Sequence, residues 1–165
     1  MIRRPVIGFA RREDGAALVE FALLFPMFML VLGLAVEGAR TFWSYQTAIT
    51  GVRDATRYLS RVVDADACAA PGGASAVESW DDRLAEIVRE DRQGKSVFPV
   101  AVQVSSVRSE LTCSSGEYRG GDAAVATVTA TLLIDYPFSG LFALAGVTNA
   151  SVTTTIRDSA RIIGS

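Results

Sequence analysis

The feature that most constrains this chain is an apolar run near its N-terminus. The run extends from Ala16 to Val36, and its one ionisable side chain is Glu20. At about 1.5 Å per residue, a helix of this length reaches about 30 Å, the thickness of the hydrocarbon core of a bilayer. We therefore predict a membrane-embedded helix, followed by a domain of mixed composition that can fold in water.

Charges on either side of the run predict its orientation. The segment before Ala16 contains four arginines and two acidic residues, whereas the whole chain has a net charge of −2. Basic residues beside a span remain on the cytoplasmic side. We expect residues 1–15 in the cytoplasm, residues 16–36 in the bacterial inner membrane and residues 37–165 in the periplasm. A mildly acidic body also argues against nucleic acid as a partner.

The residue inventory gives no support for catalysis. The chain has no histidine and two cysteines, which removes the commonest general base, His-activated nucleophiles and most zinc sites. The acidic pairs Asp81-Asp82 and Glu90-Asp91 are adjacent in sequence. Neighbours of that kind do not face each other on a helix, so we predict solvated charges. We expect no enzyme, no cofactor and no metal.

Three interpretations of the apolar run compete. A cleaved secretory signal has a shorter core, although Gly33-Leu34-Ala35 would suit its peptidase. A twin-arginine signal lacks the expected residues after its arginines, and a plain signal anchor stays open. Glu20 is the discriminating residue, because a carboxylate at the centre of a span is disfavoured by about 2.5–3.5 kcal/mol and by less near an end. Snorkelling to the interface explains how Glu20 is tolerated, but not why it is present.

The residues around Glu20 resemble a known processing site. A basic leader ends at Gly15, and the spacing Gly-x₄-Glu-Phe-Ala-x₃-Pro runs from there to Pro26. This pattern resembles the TadE-like family, minor pseudopilins of the tight-adherence (Tad/Flp) pilus system. The resemblance implies that a prepilin peptidase cuts between Gly15 and Ala16, which makes Glu20 the fifth residue of the mature chain. Major pilins of this class are very short, so the long mature chain that begins at Ala16 favours a minor component.

The resemblance also implies partners and residue roles. The partners are the inner membrane, the prepilin peptidase, other pilins or pseudopilins, and the pilus assembly platform. In a packed filament the new amine of Ala16 and the carboxylate of Glu20 on a neighbouring subunit neutralise each other and set axial register. Pro26 removes one helical hydrogen bond and is expected to kink or loosen the helix. A proline merely tolerated in a membrane helix is the equal alternative.

Periodicity predicts an α+β fold of the pilin type. Apolar residues from Phe42 to Val63 recur at alternating spacings of three and four, which extends the first helix to about Val63 and packs it on a sheet. Arg53, Arg57 and Arg61 form another, solvated face. A second short helix bears Val77, Trp80, Leu84, Ile87 and Val88 and ends at Gly94. Strands are predicted at Val97–Val107, Ala123–Tyr136 and Ala150–Ile163, in an antiparallel meander, with a short helical turn at Leu141–Val147.

Cys68 and Cys113 are the two cysteines. Outside the cytoplasm an oxidising compartment favours a disulfide between them, joining the end of the long helix to the loop after the first strand. Two free thiols are the alternative.

The leading hypothesis is a structural subunit, a minor pilin or pseudopilin that takes part in adhesion or secretion. The alternative is a signal-anchored periplasmic binding or sensor module without catalytic activity. An anchored enzyme is a third, weaker interpretation, since no nucleophile and base pair is evident in the sequence.

Overall fold

One long helix lies across a small sheet. The computed structural model describes residues 14–116, 122–137, 139–143, 146 and 151–164. Its helices are α1 (Asp14–Val62), α2 (Gly73–Glu78), α3 (Asp81–Arg89) and α4 (Ser139–Ala143). Its strands are β1 (Val102–Ser114), β2 (Ala123–Asp135) and β3 (Ser151–Arg161). The predicted α+β class, with one long helix at its start, is confirmed.

The strands form an antiparallel meander in the order β1-β2-β3. Alternate β2 residues, including Ala126, Ala130 and Leu132, are fully buried beneath the helices. The opposite face of the sheet is polar, and Arg157 donates there from Nε to the hydroxyl of Thr129. This two-faced pattern explains why a three-stranded sheet needs helices on one side only.

The second half of α1 supplies the other side of the core. Ala48, Val52, Ala55 and Leu59 are fully buried and recur at spacings of four, three and four, which places them on one face of the helix. Small side chains on α1 and β2 let the helix approach the sheet closely. As predicted, Arg53, Arg57 and Arg61 are exposed.

Helix α3 packs beside α1 and covers the outer edge of β1. A Cβ placed on Gly51 of α1 would lie 3.2 Å from the Cα of Val88. On the edge away from β2, the Arg89 guanidinium donates to the carbonyl of Val104 at 2.9 Å. Side chains that pair with an exposed strand edge block its pairing with another chain.

The region between α1 and β1 differs from its sequence prediction. Two short helices replace the single predicted one, because the chain turns at Ser79 and Trp80, where the Ser79 hydroxyl donates to the Ala76 carbonyl. Side-chain bonds of this kind compete with helix propagation. Helix α3 ends at Arg89, before Gly94, which has φ +76° and lies in a separate turn.

Strand β1 begins and ends later than its predicted span of Val97–Val107. Pro99 has no N–H to give to a strand ladder, and pairing begins at Val102 opposite Ile134. The strand then continues to Ser114. In that second half apolar and polar residues alternate only weakly along the sequence. The predictions for the other two strands agree to within two residues. The predicted turn at Leu141–Val147 begins within α4 (Ser139–Ala143), which starts two residues earlier than predicted, and residues 144, 145 and 147 lie outside the described residues.

Candidate functional site

The described structure begins beside the predicted processing site. Helix α1 starts at Asp14, so Gly15 and Ala16 occupy its first turn. Both are exposed, and a Cβ on Gly15 would meet no atom within 4 Å. The Gly15–Ala16 bond therefore lies in an exposed stretch of α1, while the arginines of the leader lie outside the described residues.

Glu20 lies on an apolar and wholly exposed part of α1. Every residue from Gly15 to Phe28 is exposed. The neighbours Leu18 and Phe21 are large apolar side chains with 71% and 64% of their surface free. A carboxylate in such surroundings is disfavoured in a bilayer unless an opposite charge joins it. The arrangement suits a pairing between subunits, which stays a prediction.

Pro26 lies inside α1, and the helix is continuous on both sides of it. A proline at this position cannot donate to the carbonyl of Ala22, four residues earlier. The helix assignment does not decide between a kink and a proline that is simply tolerated. The predicted kink stays a prediction.

The apolar part of α1 has the properties of a membrane anchor. Its best 18-residue window has a mean hydropathy of 2.3 and is 0% buried. A core helix of similar composition would be covered by the rest of the domain. Helix α1 is thus a candidate span by length, composition and exposure.

Coverage of α1 begins before the apolar run ends. Met29, Leu30 and Gly33 are partly covered, and Glu37 has only 5% of its surface exposed. These positions follow one face of the helix. Strong coverage of α1 thus begins at Glu37, directly after the predicted span, and α4 is among the elements that touch α1.

The aromatic residues after the run are placed differently from their prediction. Phe42 and Tyr45 were expected in the stripe facing the sheet, but Phe42 is 65% exposed and Tyr45 is also exposed. At this end of the stripe Ser44 and Ala48 are buried instead, whereas Val52 and Leu59 further along are buried as predicted. Trp43 is exposed as well, which leaves an aromatic cluster on the surface just beyond the apolar run.

Cys68 and Cys113 form a disulfide. Their Cα atoms are 5.8 Å apart and their sulfurs 2.10 Å apart. Cys68 lies in the turns after α1, as expected, whereas Cys113 belongs to β1 rather than to the loop after it. The bond ties the end of the long helix to the edge strand of the sheet.

Asp81 has a role that the sequence did not reveal. Its Oδ1 accepts from the backbone N–H of Ser109 at 2.8 Å and from the Ser109 hydroxyl at 2.6 Å. The carboxylate therefore fixes α3 to β1, which corrects the prediction of a solvated charge. The sequence shows only that Asp81 lies in the first turn of a helix, a favourable place for an acidic residue. That position does not predict a hydrogen-bond partner far along the chain.

Metal and ligand chemistry find no support in the described ranges. Among those residues, no three His, Cys, Asp or Glu side chains lie close enough to hold a metal ion. One surface cavity has about 520 Å³ and is lined by Ser106, Arg108 and Thr129 with other polar residues. A second cavity, of about 490 Å³, is lined by residues of both α1 and α3 and lies beside Phe42 and Trp43.

Comparison with known protein families gives a match to the long helix. The model of the family described as TadE-like protein matches this chain from Gly15 to Arg57. This segment is TadE-like. It begins at the residue predicted to end the leader, includes Glu20 and Pro26, and ends in the buried half of α1. The resemblance drawn from the sequence is confirmed over that segment.

No curated protein and no solved structure matches the chain significantly. The family assignment therefore depends on α1, and the sheet contributes nothing to it.

Proposed function

We propose that this protein is a minor pseudopilin of a Tad pilus, anchored in the inner membrane by α1 and cut by a prepilin peptidase after Gly15. The observation that carries the proposal is the TadE-like match over residues 15–57, which includes the Gly15 and Glu20 spacing. The exposure of Gly15, Ala16 and the first half of the apolar segment, to Phe28, supports it.

The proposed assembly step depends on charge pairing in an apolar bundle. Cleavage creates a positive amine on Ala16, and Glu20 of a neighbouring subunit supplies the opposite charge. Either charge alone is strongly disfavoured in a low-dielectric environment, and pairing offsets part of that penalty. A subunit in the wrong axial register leaves both groups unpaired, so the pair selects one register.

The proposed topology places the leader in the cytoplasm and the sheet domain in the periplasm. The arginines before α1 support this orientation. The disulfide between Cys68 and Cys113 supports it independently, because such bonds persist in oxidising compartments. Other pilins or pseudopilins and the assembly platform are the partners that this placement implies.

A pair of variants tests the role of Glu20. In a host with a working Tad system, Glu20→Gln keeps the size of the side chain and removes its charge, while Val19→Ala changes an adjacent apolar residue. We expect Glu20→Gln to insert into the membrane at the normal level, measured by alkaline extraction, but to lose sheared surface pili. We expect Val19→Ala to insert normally and to keep its pili. Normal piliation by Glu20→Gln would contradict the register role.

A further inference from the structure

One stripe of α1 is covered by the domain along only half of its length. From Phe21 to Val63, the residues at alternating spacings of three and four are uncharged and almost all apolar. The domain buries the later part of this stripe, where Val52 and Leu59 are fully buried. Between Phe21 and Tyr45 every member of the same stripe is exposed. We call this exposed half the uncovered seam.

Three members of the uncovered seam lie beyond the apolar run, namely Gly38, Phe42 and Tyr45. Within the run almost any stripe of the helix is apolar, so these three carry the information. Charged residues stand next to them in sequence, but Glu37 is buried and Arg40 is partly covered, so both belong to another face of the helix. An uncharged, exposed face of α1 thus continues past the end of the run.

Lipid does not reach this part of the seam. Phe42 lies about 9 Å and Tyr45 about 13 Å beyond Val36, at about 1.5 Å per residue along the helix. The headgroup layer occupies about 5–7 Å on each side of the hydrocarbon core. Contiguous apolar surface that neither lipid nor the domain covers indicates contact with another protein.

The spacing and the side chains of the seam are those of a helix pair. Apolar residues at about every 3.5 positions keep two α-helices in contact along a left-handed supercoil. Ala35 and Gly38 are successive members of the seam, and small residues let membrane helices approach closely. Glycine is disfavoured inside a helix, yet a Cβ on Gly38 would meet nothing within 4 Å. The domain itself therefore gives no reason for a glycine at this position.

We propose that the uncovered seam pairs with the same seam of a second copy, in a parallel dimer of α1 helices. Both copies enter the bilayer from the same side, so their seams lie at equal height and a two-fold axis along the membrane normal relates them. Each member of the seam then faces its own counterpart. The contact ends at Tyr45, before the exposed Arg53, whose charge repels that of its counterpart.

The area of the seam approaches that of a stable contact. Phe21, Phe28 and Phe42 are 64%, 59% and 65% exposed. An aromatic side chain buries about 150–250 Å², so these three rings offer about 280–470 Å² from each copy. A standard interface buries about 800 Å² per partner. The other members of the seam, Leu24 and Val31 among them, add to the area of the rings.

The inference depends on the membrane span of the proposed function, but not on cleavage or on a pilus. It also differs from the filament contact proposed above. There, Ala16 of one subunit meets Glu20 of the next, which shifts the two helices by four residues, or about 6 Å. The dimer is therefore a separate state, in which two copies stand side by side in the membrane before assembly.

Single cysteines test the equal-height contact in inner-membrane vesicles from cells that express the full chain without other Tad components. The two natural cysteines form a disulfide, so the added thiol is free to react with its counterpart. Ala35→Cys and Phe42→Cys lie on the seam. Val36→Cys and Trp43→Cys, also at exposed positions, lie about 100° further round the helix as matched controls. Under oxidation we expect at least about five-fold more disulfide-linked dimer from the seam variants, because cysteines with Cα atoms more than about 7 Å apart cannot be bridged without backbone movement.

Gly38→Leu tests the close approach of the two helices. The new side chain has open space in the single chain, so the domain should stay folded, as near-ultraviolet circular dichroism of Trp80 would show. We expect dimer formation to weaken by about tenfold, measured by sedimentation of the full chain in detergent micelles, because the larger side chain overpacks the contact. Thr50→Leu, at an exposed position of α1 beyond the seam, is the control and should leave association unchanged.

The other outcomes separate this inference from the proposed function. Equal cross-linking of Phe42→Cys and Trp43→Cys would mean random collisions and overturns the dimer. Cross-linking between Phe42→Cys and Gly38→Cys chains in a mixture, without self-linking of either, would show staggered copies and also overturns it. Unchanged association of Gly38→Leu overturns the close contact at the seam. All three leave the proposed function intact, whereas release of the chain from membranes by alkaline extraction overturns the span and with it both proposals.

Discussion

Loss of the disulfide should destabilise the periplasmic domain by a calculable amount. Cys68 and Cys113 are separated by 45 residues in sequence. Closing a loop of that length lowers the entropy of the unfolded chain by an amount equivalent to about 4 kcal/mol at 25 °C in the loop-closure model. Cys113 is exposed and Cys68 only partly covered, so replacing both with serine removes little packing. The effect should therefore come mainly from the unfolded state.

Urea unfolding of the full chain in detergent micelles measures this effect. The Cys68→Ser/Cys113→Ser double variant should unfold at a midpoint lower by roughly 1.3–4 M, for a slope of about 1–3 kcal/mol per M. Near-ultraviolet circular dichroism follows the transition through the packed ring of Trp80. A reducing agent should shift the natural chain to the same midpoint and leave the double variant unchanged.

The size of the shift decides whether the reasoning holds. A loss below about 1 kcal/mol, the size of an ordinary point-mutation effect, would refute the loop-closure argument for this bond. An unchanged slope would show that the native and unfolded states keep their compactness. A steeper slope in the double variant would instead show that the disulfide restricts the surface exposed on unfolding.

Three further expectations concern the domain. Leu59→Ala removes a fully buried side chain and should lower the free energy of unfolding by about 2–5 kcal/mol in the same assay. The loss is smaller the more the neighbouring core residues move into the cavity. Gly73→Ala should lower it by about 1–3 kcal/mol by overpacking, since its Cβ would clash with the backbone carbonyl of Ala67; equal stability would contradict this. The Asp91 carboxylate accepts hydrogen bonds from two backbone N–H groups of its own turn, which lowers the pKa of its carboxyl. The ionised carboxylate should therefore stabilise the turn at any pH above the range in which Asp ordinarily titrates. This stabilisation should be lost as the pH falls through the lowered pKa. Carbon NMR of the Asp91 carboxyl checks this, and an ordinary titration midpoint would contradict it.

The sequence predicts the parts of the fold that depend on local pattern. The apolar run and the three-four spacing gave the C-terminal end of α1 to within one residue, because both patterns are local in sequence. Strands β2 and β3 were also found, since alternating apolar residues on a half-buried sheet leave a clear signal. The family resemblance required only the residues from Gly15 to Pro26.

The break between α2 and α3 and the late start of β1 have local causes in Ser79 and Pro99. Other misses depend on tertiary contacts. Strand β1 was misplaced because its second half alternates weakly and is held by pairing with β2. Phe42 was assigned to the core because its spacing fits, yet its ring is exposed. Asp81 looked like a solvated charge, since its bond to Ser109 links positions far apart in sequence. No local pattern contains such information.

The N-terminus of the mature protein tests the central claim most directly. The full chain is expressed with an active prepilin peptidase, purified from membranes and analysed by intact mass and N-terminal peptide mass spectrometry. Gly15→Val is the matched control for the cleavage residue. We expect the natural chain to begin at Ala16 and the variant to keep its leader. A natural chain that retains Met1, or one that begins at Val36 after signal-peptidase cleavage, would contradict the account.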